Sequence, residues 1–278
     1  MEEMRLHPAL NAARYTFLIL LAALFVIPIV FVAFTALKTR ADLASHPFYY
    51  FPEKIQWGNF LKAWQQGKMS LYMKNTAFIC LVKVPLGILI EALAAFALTR
   101  LKFKWSNGMF AFFLVGMMVP MQATLVPLNI FLHKTNLVNT YPGLFFIYVG
   151  FGIPFGILIL RGFFRTIPKE LDEAALIDGC GDFGKFFRII VPLALPAIAT
   201  LVIFDFMATW NEFLLAQIFI TDDKMKLITT GLMSFRGERA TDYPLLNAGV
   251  LISIVPTLVV YLLFQKYFVS GLAGSVKG

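Results

Sequence analysis

The sequence predicts an all-α integral membrane protein with six transmembrane helices, and three observations carry that prediction. Hydrophobic residues make up 59% of the 278 and charged ones only 14%, with a mean hydropathy of +0.76, which leaves too little polar surface to clothe a soluble globule. Apolar runs of about the 20 residues that a spanning helix needs recur along the chain. Between the fourth and fifth of them lies a polar island, 166–196, that cannot span. Thirty Phe against nine Tyr and four Trp suit helices that face lipid. Cys80 falls in an apolar run and Cys180 in the island, so no disulfide framework is expected. The net charge of +8 fits contact with anionic headgroups of the lipid bilayer and not nucleic acid, because no basic polar domain with interleaved aromatics is present.

The spans follow in order. The first, 15–37, is too long for a signal-peptide core and has no small-residue cleavage site close behind it, so it is expected to be an uncleaved anchor. The largest loop, 38–70, with Pro47, Pro52, Trp57 and Trp64, has room for short helices on one membrane face. The second span, 71–98, ends in the basic cluster Arg100, Lys102, Lys104. The third, 107–132, contains Pro120 and Pro127, which should kink or break it. A turn through Asn136 and Asn139 leads to the fourth, 141–164, where Gly150, Gly152, Pro154 and Gly156 give a pliable middle and allow close helix contact. The fifth is expected at about 194–220, followed by a mixed-charge loop, the sixth at 244–268, and a glycine-rich tail, 269–278. An even number of spans puts both termini on one side. Lys and Arg divide evenly between the two sets of loops. Weighting short juxtamembrane segments tips the balance modestly toward a cytoplasmic place for the 100–104 cluster and the island.

The island has its own grammar. Pro168 suits the first turn of a helix, and Glu170, Asp172 and Glu173 follow near its positive end. Leu171, Ala174 and Ala175 share one face, and the two alanines make it flat enough for another surface to approach. Gly179 and Gly181 stop that helix. Asp182 is placed to cap a second one, on which Phe183, Phe186, Phe187 and Ile190 repeat at helical spacing before Pro192 and Pro196 close the island. A helix–glycine–helix elbow in a membrane protein reads as a docking element.

Polar groups inside the spans narrow the chemistry. Lys83 and Asp205 lie at matching depths, and a buried ion pair would remove most of the roughly 2.5–3.5 kcal/mol that a charge costs at mid-membrane. The alternative for both is a polar wall of a translocation path. Glu91, nearer the end of its span, could reach headgroups or Arg100. Trp210, Asn211 and Glu212 combine groups that stack on and hydrogen-bond a sugar, although an interfacial aromatic belt would place a Trp at the same level. Gln122 and Asn129, on the interrupted third span, are further candidates for the path, with satisfaction of helix backbone as the plainer reading. Met117, Met118 and Met121 are expected to pack the core. His7, His46 and His133 stand on separate loops; no metal-ligand spacing, catalytic constellation or cofactor motif is found, and no phosphate-binding loop. Kinked helices with a buried Lys and Asp also suit an ion-coupled secondary transporter, which is the alternative reading.

The island also resembles a known family. Glu173-Ala174-Ala175, Gly179, Ile189 and Pro192 are similar to the E-A-A-x3-G-x9-I-x-L-P loop of permease subunits in bacterial ATP-binding-cassette importers, departing only at Val191, where that pattern has Leu. Met118-Val119-Pro120, Asn139-Thr140-Tyr141, Trp210-Asn211-Glu212-Phe213 and the tail from Tyr267 resemble the carbohydrate-importer branch, the maltose- and oligosaccharide-type permeases. The resemblance implies the type I importer permease fold, with 166–192 as a cytoplasmic coupling elbow. It implies contact with the ATPase through Glu170, Glu173, Ala174, Ala175, Asp178, Gly179, Ile189 and Pro192. Its implied partners are a second homologous permease, two ATP-binding-cassette ATPase subunits and an extracytoplasmic solute-binding protein. The place it implies is a bacterial cell (inner) membrane with both termini cytoplasmic, the substrate a sugar or oligosaccharide, and ATP hydrolysis belongs to another subunit.

Overall fold

The computed structural model describes residues 8–275 except 238 and 239, with side chains described between 10 and 266. Its helices are α1 (Pro8–Ala36), α2 (Arg40–Ser45), α3 (Gly58–Gln66), α4 (Met69–Arg100), α5 (Ser106–Met117), α6 (Met121–Lys134), α7 (Tyr141–Phe164), α8 (Glu170–Ile177), α9 (Asp182–Lys185), α10 (Val191–Leu193), α11 (Leu195–Trp210), α12 (Leu214–Phe219), α13 (Ile228–Gly231) and α14 (Tyr243–Ser275). A π-helical stretch, Phe186–Ile190, joins α9 to α10, and a 3-10 turn, Leu232–Phe235, follows α13. Among the described residues, α1, α4, α7 and α14 are long and apolar enough to cross a bilayer, and two bent pairs bring the number to six if each is one crossing.

Those bent pairs are where the structure departs from the expected spans. The expected third span, 107–132, is two helices at 100° to each other. The break falls at Pro120, which has no N–H to continue α5 and sits at φ −65, ψ 131 as the entry to α6; Pro127 lies inside α6 without ending it. The expected fifth span, 194–220, is also divided, into α11 and α12. The Glu212 carboxylate accepts the free N–H groups of Leu215 (2.8 Å) and Ala216 (3.0 Å), starting a new helix where a straight one was expected. Asp182–Leu193 and α11 meet at 78°. At the other end, α14 runs through Ser275, into the stretch expected to be tail; extending a formed helix is cheaper than starting one, despite Gly271 and Gly274. Residues 276–278 of that tail lie outside the described residues.

The described residues form two compact units, one holding the chain up to Met69 together with Leu232–Ser253, the other Ser70–Gly231 with the chain from Ile254. In the larger unit Ile79, Leu132, Leu144, Leu215 and Phe219 are buried together. Lipid is as apolar as leucine, so such a cluster holds by close packing more than by escape from water. Its turns are sequence-specific. Asn136 and Asn139 both take the left-handed conformation, φ 56, that asparagine tolerates. Asn139 Oδ1 accepts the N–H groups of Thr221 (2.9 Å) and Asp222 (3.1 Å), Thr140 caps α7 by accepting from Gly143 N (3.1 Å), and Tyr141 donates its hydroxyl to Met225 O (3.2 Å). Asn139-Thr140-Tyr141 is thus a tie between the start of α7 and the loop after α12.

In the smaller unit, Asn59 Nδ2 donates to Ala36 O and Lys38 O, both at 2.8 Å, satisfying carbonyls left free where α1 ends. Asp242 precedes α14, accepts Leu245 N at 3.2 Å and takes the Arg40 Nε hydrogen bond at 2.9 Å. Because Asn59 is buried, Asn59→Ala should leave two carbonyls without donors and cost about 1–3 kcal/mol. Thermal unfolding of the detergent-solubilised protein checks this: the midpoint is expected to fall by several degrees, and an unchanged midpoint would mean that water replaces the amide.

Candidate functional site

The elbow is built from the end of α7 outward. Helix α8 stops in a Schellman motif: Gly179 at φ +73 donates its N–H to Leu176 O (3.1 Å), and Cys180 donates to Ala175 O (2.8 Å). A Cβ at Gly179 would meet nothing within 4 Å, so the glycine is required by backbone conformation and not by space. One guanidinium secures the base. Arg100, at the end of α4, donates to Asp172 Oδ2 (2.7 Å), to Ile167 O (2.8 Å) and to Phe164 O, tying the ends of α4 and α7 to the first turn of α8. The second arm differs from the expected capped helix. Gly181, not Asp182, occupies the N-cap position, and Asp182 instead pairs with Lys185 at 2.7 Å. The arm then widens, with Val191 N–H reaching back to Phe186 O, before Pro192, which has no N–H to offer.

The expected faces of the elbow also divide. Ala175 is buried against its own chain while Ala174 is exposed, so the two alanines do not form one outward face. What α8 shows outward besides Ala174 is Leu176 (67% exposed) and Ile177 (87%), with Glu170, Glu173 and Asp178 exposed around them. On the second arm Phe186 and Ile190 turn inward, Phe186 edge-on to Phe96 of α4 at 5.3 Å, whereas Phe183 (75%) and Phe187 remain outside. Ile189 is half-buried and Pro192 exposed. The helical period identified the apolar positions of this arm without separating those that pack from those left bare.

The second feature is a charged chamber among α4, α7 and α11. Lys83 Nζ lies 2.7 Å from Asp205 Oδ2, both side chains buried, in an ion pair whose angle is not that of a hydrogen bond to that oxygen. Glu91, expected to reach headgroups or Arg100, is instead fully buried, and neither of its oxygens has a hydrogen-bond partner. Glycines make the room. A Cβ on Gly156 would stand 2.0 Å from Glu91 Oε2, and one on Gly152 would be 3.1 Å from both Glu91 Oε1 and Lys83 Nζ. Beside the pair opens a cavity of about 350 Å³ walled by Phe151, Phe155 and Phe204, with Tyr148, Thr209 and Glu212 at its polar edge.

Of the residues proposed from sequence for a substrate path, Glu212 alone lines this cavity together with Lys83 and Asp205. Its carboxylate is already engaged, capping α12 and accepting the Tyr148 hydroxyl at 2.6 Å. Trp210 is buried and stacked on Phe206 at 5.4 Å, and the exposed Asn211 donates to Met207 O within its own helix at 2.9 Å. Gln122 is exposed and Asn129 half-exposed on α6, and neither borders the chamber. Two arginines were not anticipated: Arg100 as the clamp of the elbow, and Arg161, which is buried, donates to Asn107 Oδ1 (2.8 Å) and lies 3.8 Å above the Phe110 ring, joining α7 to α5. The signal for Arg161 was its place in the last turn of an apolar span, where a cation cannot remain unpartnered.

A bundle of membrane helices with a polar chamber between them and a rigid elbow beyond their ends is the architecture of a transport permease. Residues 83–272 match the family described as binding-protein-dependent transport system inner membrane component, and the chain belongs to it. It is 40% identical over 269 residues to the probable ABC transporter permease protein YurM of Bacillus subtilis (strain 168), covering 95% of this chain and 87% of that one. To the diacetylchitobiose uptake system permease protein NgcG of Streptomyces coelicolor it is 33% identical, covering 96% and 87%. Its fold superposes, with a TM-score of 0.81 at 19% identity over 95% of this chain and 98% of the other, on a chain of a bacterial ABC transporter involved in the import of the acidic polysaccharide alginate. Family membership makes this a cell-membrane ABC importer permease and gives no support to an ion-coupled carrier.

The buried pair yields a stability prediction. Lys83→Met leaves Asp205 and Glu91 without a cation and should cost about 3–5 kcal/mol, whereas Lys83→Met with Asp205→Leu should recover most of that loss. Unfolding curves of both variants in lipid nanodiscs measure the difference, and a double variant as unstable as the single one would rule out the pair as the cause.

Proposed function

We propose that this permease forms half of the path of an ATP-driven importer for a sugar or oligosaccharide, with 166–192 as the element through which a separate ATPase moves the membrane helices. The observation that carries the reading is the elbow: a braced helix end, terminated by Gly179 at φ +73 and clamped by Arg100, displaying Leu176 and Ile177 to a partner. Force crosses a subunit boundary only through a packed contact on a rigid base; the Arg100 clamp supports the base, and the bare side chains of α8 are what a partner would pack on. The family's dependence on a binding protein supports a soluble solute-binding partner on the outer face, and half a path supports a second, homologous permease. Two ATPase subunits complete the complex, since the chain has no phosphate-binding loop. The carbohydrate reading draws on NgcG, named for diacetylchitobiose uptake, on the motifs shared with carbohydrate permeases, and on a chamber that sets aromatic faces beside hydrogen-bonding groups. The elbow and both termini then lie in the cytoplasm.

The docking face is Ala174 with Leu176 and Ile177, ringed by Glu170, Glu173 and Asp178; Ala175, Ile189 and Pro192 shape it from within or behind. Ala174→Trp should insert in the membrane and assemble the chain's own fold, because Ala174 is exposed, yet lose the ATPase subunit on purification or lose substrate-stimulated ATP hydrolysis together with transport, by roughly tenfold or more for a bulky side chain forced into a packed contact. Gly179→Val, at a positive φ where a β-branched residue is strained by about 1–2 kcal/mol, should misdirect the second arm with the same result. Reconstitution of the purified complexes in liposomes provides the measurement, and normal coupling in a stably assembled Ala174→Trp complex would end the docking assignment. Orientation is tested separately: a cysteine at Lys102 should react only with a reagent admitted to the cytoplasm, and labelling in intact cells would reverse the topology.

A further inference from the structure

Lys83, Gly87 and Glu91 lie at i, i+4 and i+8 on one face of α4. Lys83 touches Asp205 of α11 by charge but without a directed hydrogen bond to Oδ2, and Glu91 makes no ion pair among the described residues although it is fully buried. A sealed carboxyl with no donor is costly, and the cation beside it is Lys83. The ground between is empty because residue 87 is glycine: the point where its Cβ would stand is 3.5 Å from Asp205 Oδ2, 3.6 Å from Lys83 Cε and 3.8 Å from Glu91 Oε1. All three charged side chains border the same small gap.

We propose that Lys83 is a positioning residue shared by two carboxylates: paired with Asp205 in the conformation described here, it crosses the gap at Gly87 to pair with Glu91 when α11 shifts against α4. The two carboxylates differ in what they meet when Lys83 leaves. Asp205 lines the cavity, where water or the hydroxyls of a polyol can donate to it; Glu91 does not line it and has only protein around it. Filling the chamber with hydrogen-bond donors therefore favours release of Asp205 and capture of Lys83 by Glu91, which links occupancy of the chamber to the arrangement of the helices. That link rests on the chamber belonging to the transport path, whereas the exchange itself does not.

The test uses the complete purified complex in lipid nanodiscs. Spin labels are placed at Leu81→Cys on α4 and Leu195→Cys on α11, both exposed positions, with Cys180 replaced by serine and the buried Cys80 retained. Interspin distances report the populations of the two helix arrangements. Asp205→Asn should move the population toward the Glu91-paired arrangement and Glu91→Gln toward the Asp205-paired one, each by roughly tenfold and in opposite directions. Gly87→Ala adds one methyl at ordinary contact distances, so the complex should assemble, but it fills the gap and should abolish the Glu91-paired population. Shifts of the same sign in Asp205→Asn and Glu91→Gln, identical distances in both, or an unaltered distribution in Gly87→Ala would each overturn the proposal. Opposite shifts in a complex that imports no carbohydrate would count against the transport reading and leave the exchange standing.

Discussion

Charge that cannot reach water sets the terms for this fold. A lysine and two carboxylates are enclosed among α4, α7 and α11, in surroundings where an uncompensated charge costs several kcal/mol and a good pair recovers much of it. The requirement reaches outward from the pair to the backbone. Where α7 passes this group, Gly156 has no room for a methyl group against Glu91, Gly152 leaves only a tight fit beside Lys83 and Glu91, and Gly87 of α4 leaves an open gap between the charges. Small residues that elsewhere merely allow helices to approach are here the walls of an electrostatic site. Beside it the rings of Phe151, Phe155 and Phe204 wall the open chamber.

The class of the molecule and the places of its long apolar helices were legible because bilayer thickness and backbone satisfaction act on composition and length, which a single sequence displays. The fourth span coincides with α7 because Thr140 and Pro142 mark its beginning in residue types with one purpose. Breaks were harder. Pro120 announces its own break, but the division of the fifth span depends on Glu212 turning toward the N–H groups of Leu215 and Ala216, a choice a sequence pattern does not reveal because the same carboxylate suits a ligand equally well. Lys83 and Asp205 could be matched by depth alone. Glu91 could not, because its burial depends on Gly156, 65 positions later on another helix. On the elbow, residue spacing identified the small and aromatic positions, but which of Ala174 and Ala175 faces outward depends on how α8 is rolled, and Arg100 sets that roll from outside the island.

The elbow and the chamber share α4. Arg100 at its end braces α8, and Lys83, Gly87 and Glu91 stand along its length, so a displacement of the elbow presses on the helix that carries the charge pair. The inward Phe186 against Phe96 adds a second attachment to the same helix. A lever needs a stiff arm and a load placed along it, and α4 unites both in one continuous stretch of backbone from Met69 to Arg100.

The bare apolar side chains of Leu176, Ile177 and Phe183 bear on how a cell must make this protein. Large apolar groups invite non-specific association for as long as they are uncovered. A copy on which nothing covers these side chains is therefore exposed to aggregation and to proteases that remove bare hydrophobic segments. Where the proposed partners supply the cover, the number of working complexes is set by the scarcest chain and not by the abundance of this one.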